Sequence, residues 1–411
     1  MRTLLLASVA AMTIFGTVTP AYAGDEAETF VKAITEGKTT INFRLRNENV
    51  SQDGFADNAN ALTLRTRLKY STGVFKGFSA VVEVDNVLAL DNNYNSTING
   101  RINRPVIADP KMTEINQAYL AYTGIKDTTL LAGRVALNLD NQRFVGTVGF
   151  RQNDQTYDMA GIITKPVEDF TLTAGYVWNV NRIFSDRHAF GNLDTDSFVV
   201  NGKYSGFDFG NLTAYGLFID LNSPVVYGLS SQTLGIRFDG KKKLGDGNLT
   251  AIYEAEFATQ SDYKDSPLNY SAQYYHLVAG LSAHGFTGKI GYEVLGSDNG
   301  VTSFQTPLAT LHKFNGWADK FLATPAGGLE DFYGSLFYKV GGDSPLKGLT
   351  IGAVYHDFSA DVGGDYGSEI NLLAKKKFGK NLYGELKYAD YNADGFASDT
   401  RKLWFTIGAN Y

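Results

Sequence analysis

The sequence has no cysteine, little proline and a low share of charged residues. Among its 411 residues are 0 Cys and 9 Pro, and 19% are charged, whereas soluble domains average about 25% charged residues. The lack of cysteine excludes a disulfide framework and a cysteine-ligated metal site. No run of 18 apolar residues follows the N-terminal segment, which argues against a helical membrane protein. A formal net charge of −6 argues against a nucleic-acid binder that relies on overall basic charge.

The N-terminus has the pattern of an export signal. Arg2 precedes an apolar stretch over 4–11, and Ala21, Tyr22 and Ala23 form an A-x-A site. This order is typical of a secretory signal peptide. We therefore predict a cleaved signal peptide at 1–23, with a short membrane anchor as the alternative. An exported chain of this composition points to a bacterial envelope.

The abundant residues, glycine and the aromatics, lie in segments that alternate apolar and polar positions. The chain has 44 Gly, 24 Tyr and 27 Phe. In one segment Leu62, Leu64 and Leu68 alternate with Arg65 and Arg67. A period of two predicts a strand with one apolar and one polar face. Segments of this kind, each about ten residues long, recur along the chain.

The connections between these segments alternate between short and long. Eight short ones fall near 73–77, 124–127, 165–169, 205–210, 240–247, 284–285, 341–348 and 378–380, and nine long ones near 51–60, 87–112, 141–154, 179–194, 221–230, 259–271, 297–328, 358–366 and 391–400. Seventeen connections imply 18 strands, and this asymmetry is typical of outer-membrane barrels. We predict an all-β fold, a transmembrane antiparallel β-barrel over 38–411 with short periplasmic turns and long extracellular loops. Residues 24–37 are then a periplasmic lead-in, either helical or disordered.

The predicted location sets the expected partners. Aromatic residues near strand ends suit the two interfaces of a membrane, so outer-membrane lipid is one partner. The last strand ends on Tyr411, which resembles the C-terminus by which such barrels meet their assembly machinery. No nucleic acid is expected as a partner.

The polar face of the first two strands carries four arginines. An 18-stranded barrel is too wide for side chains to fill, so this face lines water. A symmetric hairpin places Arg44 opposite Arg67 and Arg46 opposite Arg65. Like charges opposite one another are destabilising, so the cluster needs partners or a purpose.

Two interpretations of these arginines remain open. They form ion pairs with Glu83, expected opposite Arg65, and with Asp85; or, with Arg134, they form a basic strip that lowers the barrier to anions. The two are compatible. Acids on other strands predict a transverse field across the lumen; they are Glu254, Glu256, Glu293 and Glu385.

Two long loops are candidate sites. The third begins at Asp140 and carries Arg143 and Arg151 among amide residues, which suits hydroxyls and carboxylates. The seventh, 297–328, exceeds the usual loop length. Its His312, Phe314 and Trp317 either stack on sugars or pack as a small hydrophobic plug.

Four segments resemble the alginate-export porin family: 113–120 (TEINQAYL), 139–144 (LDNQRF), 148–153 (VGFRQN) and 310–319 (TLHKFNGWAD). The resemblance implies an 18-stranded outer-membrane barrel whose arginine-rich lumen passes anionic polyuronate. It carries over Arg143 and Arg151 as pore residues, whereas Arg134 rests on the strand pattern alone. The chain ends in Tyr where Phe is expected, and its wall is rich in acids.

The predicted function is therefore an outer-membrane channel for anionic small molecules or oligosaccharides, plausibly uronates. The alternative is a general, weakly selective diffusion porin. A barrel hydrolase and a surface adhesin are the candidates from other classes, but no catalytic motif occurs. No cofactor and no metal site are predicted, since the five histidines form no metal motif. Calcium binding by the Asp- and Asn-rich loops at 91–93 and 361–365 stays open.

Overall fold

A short helix precedes the first strand. The computed structural model describes residues 26–223, 226–245 and 247–411, so the predicted signal peptide lies outside the described residues. Helix α1 spans Phe30–Thr35, and the Thr29 hydroxyl accepts a 3.1 Å hydrogen bond from the Lys32 amide at its start. It falls within the predicted lead-in. Among the described residues no helix is long and apolar enough to cross a membrane.

In the part of the chain that the structure describes, twenty strands and two single 3-10 turns follow the helix. The turns are Tyr227–Leu229 and Leu311–Lys313. The strands are β1 (Lys38–Gln52), β2 (Ala59–Ser71), β3 (Phe78–Asn93), β4 (Met112–Ile125), β5 (Thr128–Val135), β6 (Thr156–Val167), β7 (Phe170–Asn181), β8 (Asn192–Phe207), β9 (Gly210–Ile219), β10 (Ser231–Lys243), β11 (Thr250–Asp262), β12 (Ser271–Ala283), β13 (Phe286–Leu295), β14 (Ser297–Asp298), β15 (Thr302–Ser303), β16 (Leu329–Lys339), β17 (Thr350–Ser359), β18 (Asp365–Phe378), β19 (Leu382–Ala393) and β20 (Thr400–Asn410).

Eighteen of these strands form one closed antiparallel barrel. Each pairs with its neighbour in sequence, and β1 pairs with both β2 and β20. At this seam the backbones of Ile41 and Tyr411 exchange two hydrogen bonds of 2.9 Å. The remaining pair, β14 and β15, is a small hairpin inside the connection from β13 to β16. The predicted 18-stranded barrel is confirmed, and closure leaves no open sheet edge.

The predicted order of the connections is also confirmed. Eight connections at one end of the barrel alternate with nine at the other, and those at the first end are mostly shorter, although 340–349 there has ten residues and 360–364 at the other end has five. The longest long-loop connections run from β5 to β6 and from β13 to β16. We refer below to the short-turn end and the long-loop end.

The strands alternate between an outward apolar face and an inward face that is polar around most of the barrel, but apolar at Leu131, Val135 and Met159 on β5 and β6. On β12, Tyr274 and His276 point inward and are buried, while Leu277 points outward and is 56% exposed. Outward leucine, isoleucine and phenylalanine side chains are similarly exposed around the barrel; Ile290, Phe332 and Leu336 are three of them. An apolar belt this extensive needs a non-aqueous surrounding.

The predicted register of the first hairpins is wrong, although the inward orientation is right. Arg44 lies opposite Arg65, whereas Arg46 faces Thr63 and Arg67 faces Asn42. Each residue of β1 pairs two positions away from its predicted partner on β2. The reason is that the loop is centred one residue earlier than predicted, so that Val50 pairs with Ala59.

The predicted pairing of Glu83 with Arg65 across the second hairpin is wrong as well. Glu83 lies opposite Lys69, and Arg67 lies opposite Asp85. The cause is the turn, which sits at Lys76 and Gly77, both with positive φ (50° and 79°), rather than around residue 74. Two residues in the left-handed region are typical of a tight hairpin turn.

Four inward aromatic rings lie flat against glycines on the next strand. The pairs are Tyr333 with Gly291, Phe337 with Gly352, Tyr383 with Gly408 and Tyr215 with Gly235. A Cβ atom added at Gly291 would lie 2.2 Å from Tyr333, and one at Gly352 would lie 2.1 Å from Phe337. The missing side chain therefore provides the space that the ring occupies.

Candidate functional site

A cavity of about 1330 Å³ occupies the barrel interior on the short-turn side. Its wall includes turn and strand-end residues at 207–211 and 285, and it ends against residues 147–150 and 310–317 of the two longest connections. These two connections, 136–155 and 296–328, fold into the barrel. We call them together the plug.

The two parts of the plug are joined to each other. The Gly146 amide donates to the Leu308 carbonyl (2.9 Å), and the Thr310 amide donates to the Gln142 carbonyl (3.1 Å). On the long-loop side an apolar cluster that includes Phe304, Leu308 and Phe321 packs against inward residues of the wall. The predicted hydrophobic packing of the seventh loop is therefore present in the structure.

Arg44 and Arg46 hold the plug by its backbone. Arg44 donates to the Gln152 side chain (2.8 Å), to the Gly149 carbonyl (2.8 Å) and to the Arg151 carbonyl. Arg46 donates to the Phe150 carbonyl (2.5 Å), and its guanidinium lies 4.3 Å from the Phe150 ring centre. Neither makes an ion pair within 4.0 Å with any described carboxylate. Their charges are hydrogen-bonded but not neutralised.

Arg65 and Arg67 meet the last acid of the same connection. Asp154 lies 2.9 Å from Arg67 and 3.9 Å from Arg65. Arg67 also makes two hydrogen bonds to Asp85, at 2.6 and 2.5 Å, and lies 3.6 Å from Glu83. The ion-pairing interpretation thus holds for Arg67. Because burial opposes ionisation but the two arginines outweigh it, the pKa of Asp154 is lowered.

Arg143 and Arg151 are anchors of the plug and are not part of the cavity wall. Arg143 is 1% exposed and its Nε lies 2.6 Å from Glu293. Arg151 is 6% exposed and pairs with Glu48 (2.9 Å) and Asp319 (3.1 Å). Both arginines therefore fix the plug to its surroundings, whereas the resemblance implied that they line the pore.

Three further candidates also lie outside the cavity wall. The prediction that Arg134 joins the inward strip is wrong: it lies on the outward face of β5, where it pairs with Asp158 of β6 (2.7 Å). Asp85 is fully buried against Arg67. Asp140 accepts a 2.6 Å hydrogen bond from Asn201. Glu83 does line the cavity and accepts hydrogen bonds from Asn116 and Gln117.

The centre of the plug is a buried chain of charges and rings. Asp319 accepts from His312 Nδ1 (2.7 Å) and pairs with Lys402 (2.7 Å), while the Lys387 ammonium donates to His312 Nε2 (2.7 Å). Burial and the charge of Lys387 hold the pKa of His312 well below its usual value. His312 is therefore neutral, with its proton on the nitrogen facing Asp319.

The loop aromatics surround this chain. His312 stacks on Phe150 with ring centres 3.5 Å apart, and the Lys387 ammonium lies 4.0 Å from the Trp317 ring centre. Phe314 lies 4.8 Å from the Arg143 guanidinium. All three predicted loop aromatics line the cavity, but His312 and Trp317 are already in contact with protein groups. Phe314 in turn faces the Arg143 guanidinium, so all three rings already contact protein groups.

The cavity wall is net positive although the chain is net negative. Eleven Arg and Lys side chains and eight Asp and Glu side chains line it, a net charge of +3. The arginines lie on β1 and β2, whereas Glu254, Glu293 and Asp331 lie across the barrel on β11, β13 and β16. The transverse field stays a prediction, because Glu254 and Glu293 are themselves paired with Arg237 (2.8 Å) and Arg143 (2.6 Å). Glu385 does not contribute to it, because it lies on β19 beside Lys375 (3.0 Å).

Sequence reasoning missed the unpaired lysines of the wall. Lys69, Lys289 and Lys339 line the cavity and make no ion pair within the described part of the chain. Their positions could have been read from the same inward alternation that indicated the arginines. Asp319 could not, because a loop residue has no periodic pattern to orient it.

One group of three residues carries metal-binding atoms that face one another. Glu254, Glu256 and His276 place a donor atom each within 4.8 Å of the others. The residues that the structure describes form no second group of this kind, and the loops at 91–93 and 361–365 supply none. No sequence motif indicated this group, because its members come from two strands.

Comparisons with known proteins point to the fold. No protein-family model matches the chain, and no curated protein matches it. Among solved structures, OccAB2 of Acinetobacter baumannii is 17% identical, with a TM-score of 0.72 over 92% of this chain and 99% of that one. The chain shares this barrel fold. The outer membrane protein OpdK of Pseudomonas aeruginosa is 14% identical (TM-score 0.69, 91% and 98% covered), and OpdK with vanillate is 13% identical (0.69, 91% and 98%).

Proposed function

We propose that this protein is an outer-membrane channel that favours anionic solutes. The observation that carries the proposal is the net positive wall of the cavity, with Lys69, Lys289 and Lys339 unpaired and the charges of Arg44 and Arg46 not neutralised. Charged walls select and steer ions of the opposite sign. In this proposal residues 1–23 are removed on export, 24–37 face the periplasm with the short turns, and the apolar belt meets lipid.

Support for a channel comes from the fold and from the cavity together. The barrel closes around a cavity that polar side chains line, and its exposed outer belt is apolar. The solved structures of the same fold include an outer membrane protein, and one of them contains vanillate, an aromatic carboxylate. None of them is described as an enzyme.

Uronate oligosaccharides are the narrower candidate substrate. Each sugar of such a chain bears a carboxylate, which would meet the basic side of the cavity, and hydroxyls, which suit the amides of the plug. The resemblance of 139–144 and 148–153 to the alginate-export family supports it, but Arg143 and Arg151 from these segments are engaged in ion pairs. A general porin in which the arginines only set a transverse field is the second candidate.

Reversal potentials in planar bilayers under a KCl gradient test the anion preference. We expect the reversal potential to have the sign of a channel that passes chloride more readily than potassium. The triple variant Lys69→Gln, Lys289→Gln and Lys339→Gln should lower the anion-to-cation permeability ratio severalfold, because the wall charge falls from +3 to 0. The absence of any conductance would refute the channel, and a cation preference would refute the anion strip.

A matched control separates the wall charge from the net charge of the protein. Lys126→Gln, Lys165→Gln and Lys347→Gln remove the same charge from exposed positions away from the cavity, and should leave the ratio unchanged. Block of the current by alginate oligomers, compared with block by vanillate, then separates the uronate channel from the general one. Equal and weak block by both favours the general porin.

A further inference from the structure

The inward faces of β11 and β12 bring three metal-binding side chains together. Glu256 lies directly opposite His276, and Glu254 lies two residues away on the same inward face. Alternate residues of a strand share a face, so all three side chains point into the barrel. Their donor atoms lie within 4.8 Å of one another.

Two of these donor atoms are buried without a hydrogen bond. His276 is 5% exposed and Glu256 is 4% exposed, and neither His276 Nδ1 nor Glu256 Oε2 is hydrogen-bonded within the described part of the chain. The Nδ1 atom lies 3.3 Å from Glu254, at an angle that makes no hydrogen bond. Buried polar atoms in native proteins are nearly always satisfied, so this pair points to a missing ligand.

The other atoms of the two side chains are fixed by tyrosines. The Tyr215 hydroxyl donates to Glu256 Oε1 (2.8 Å), and His276 Nε2 lies 3.0 Å from the Tyr333 hydroxyl. If Nε2 keeps its proton and donates it to Tyr333, the lone pair of Nδ1 is free to bind a metal. This arrangement is how outer partners orient a metal-binding histidine.

The charge around the group is unbalanced. Arg237 is shared among three carboxylates, with Asp239 at 2.7 Å, Glu254 at 2.8 Å and Glu256 at 3.6 Å. One guanidinium faces three carboxylates, so a divalent cation bound by the two glutamates would reduce the repulsion among them. Asp239 can retain Arg237 when the two glutamates turn to the metal.

We propose that Glu254, Glu256 and His276 bind a divalent transition-metal cation of the zinc class. An imidazole nitrogen with two carboxylate oxygens suits zinc, whereas calcium and magnesium prefer oxygen alone. Bonds of about 2.1 Å require the donors to move closer together by roughly an ångström. Glu254 and His276 line the cavity, so the ion can reach the site and water can fill its fourth position.

Zinc titration of the purified, chelator-treated protein in detergent tests the proposal. Equilibrium dialysis with metal analysis should show one zinc per chain, and His276→Gln and Glu256→Gln should each weaken binding at least tenfold. His356→Gln is the matched control: this histidine is 7% exposed and pairs with Asp331 outside the group, so zinc binding should be unchanged. Calcium in place of zinc should bind at least tenfold more weakly.

A second measurement needs no variant. X-ray absorption at the zinc edge of the wild-type protein should show one imidazole nitrogen with oxygen donors. Zinc binding that is absent, that survives His276→Gln in a folded variant, or that shows no imidazole ligand overturns the proposal. So does calcium binding as tight as zinc binding. None of these readouts depends on conductance, so the site and the proposed channel stand or fall separately.

Discussion

At the scale of single residues, the hydrogen-bonding partner of an inward arginine decides whether its charge is neutralised by a carboxylate. Arg67 and Arg143 are ion-paired, whereas Arg44 and Arg46 are bound only to amide oxygens and a hydroxyl. Alternation along the strands indicated that the four arginines of β1 and β2 point inward, but it was wrong for Arg134, which lies on the outward face of β5. It could not indicate that the third loop would fold back on the four inward arginines, because Asp154 is far from Arg67 in sequence.

Lys313 gives a prediction at this scale. It lies in the plug, lines the cavity, and its ammonium donates to the Asn141 carbonyl (2.7 Å). Its surface reaches cavity water, but burial within the barrel lowers its pKa to about 8, with Arg237 adding to the effect and Glu254 opposing it. A lowered lysine pKa means that the positive charge is present below pH 8 and is lost as the pH rises through 8.

The anion preference that we propose for the channel should therefore fall between about pH 7 and pH 9. Reversal potentials measured across this range should show the change, and Lys313→Gln should remove it. Lys320 is the control, because burial lowers its pKa to about 8 as well but it does not line the cavity. If Lys320→Gln removes the pH response and Lys313→Gln does not, the assignment is wrong.

At the scale of elements, strands and turns follow local pattern and the plug does not. All eight short and nine long connections lie where the alternation placed them, because each strand needs about ten residues to cross. The register was harder to predict. Because the turn lies at Lys76 and Gly77, Glu83 pairs with Lys69, which is four residues from the predicted partner Arg65. The course of the plug depends on contacts between residues more than a hundred apart, such as Arg143 with Glu293.

The plug should loosen when Asp319 is removed. Asp319→Ala leaves Arg151, Lys402 and His312 without their shared carboxylate, and breaking a buried pair costs about 3–5 kcal/mol. Amide hydrogen exchange at Gly146 and Thr310, which join the two parts of the plug, should accelerate by at least 100-fold. Asp343→Ala, at a side chain 99% exposed in a short turn, should leave it unchanged. Equal protection in both variants would show that the apolar cluster alone holds the plug.

At the scale of the whole molecule, the seam between β1 and β20 makes the barrel. Eleven residue pairs join the two strands, from Asn42 with Asn410 to Gln52 with Thr400. Without β20, both β1 and β19 would present open edges, which a membrane does not tolerate. The number of strands and the closure of the barrel were predictable because they follow from the number of connections. That number does not depend on the register in which the strands pair.

Removal of 400–411 should therefore prevent a stable barrel. On gel electrophoresis in detergent, the truncated chain should migrate identically with and without heating, whereas the full chain should shift. Tyr411→Phe is the control, since the backbone bonds of residue 411 to Ile41 do not involve the hydroxyl. A heat-modifiable truncated chain would mean that β19 and β1 can close the barrel without β20.

The four glycine–ring pairs have a consequence for the bore of the barrel. Each ring rests where a neighbouring side chain is missing, so a single methyl group at Gly291 or Gly352 would act as a spacer and push Tyr333 or Phe337 toward the axis. Neither the hydrogen-bonded ladder nor the lipid-facing surface would need to change. The width of the lumen is thus adjustable independently of its charge, so passage by size and passage by charge are separate properties of the same wall.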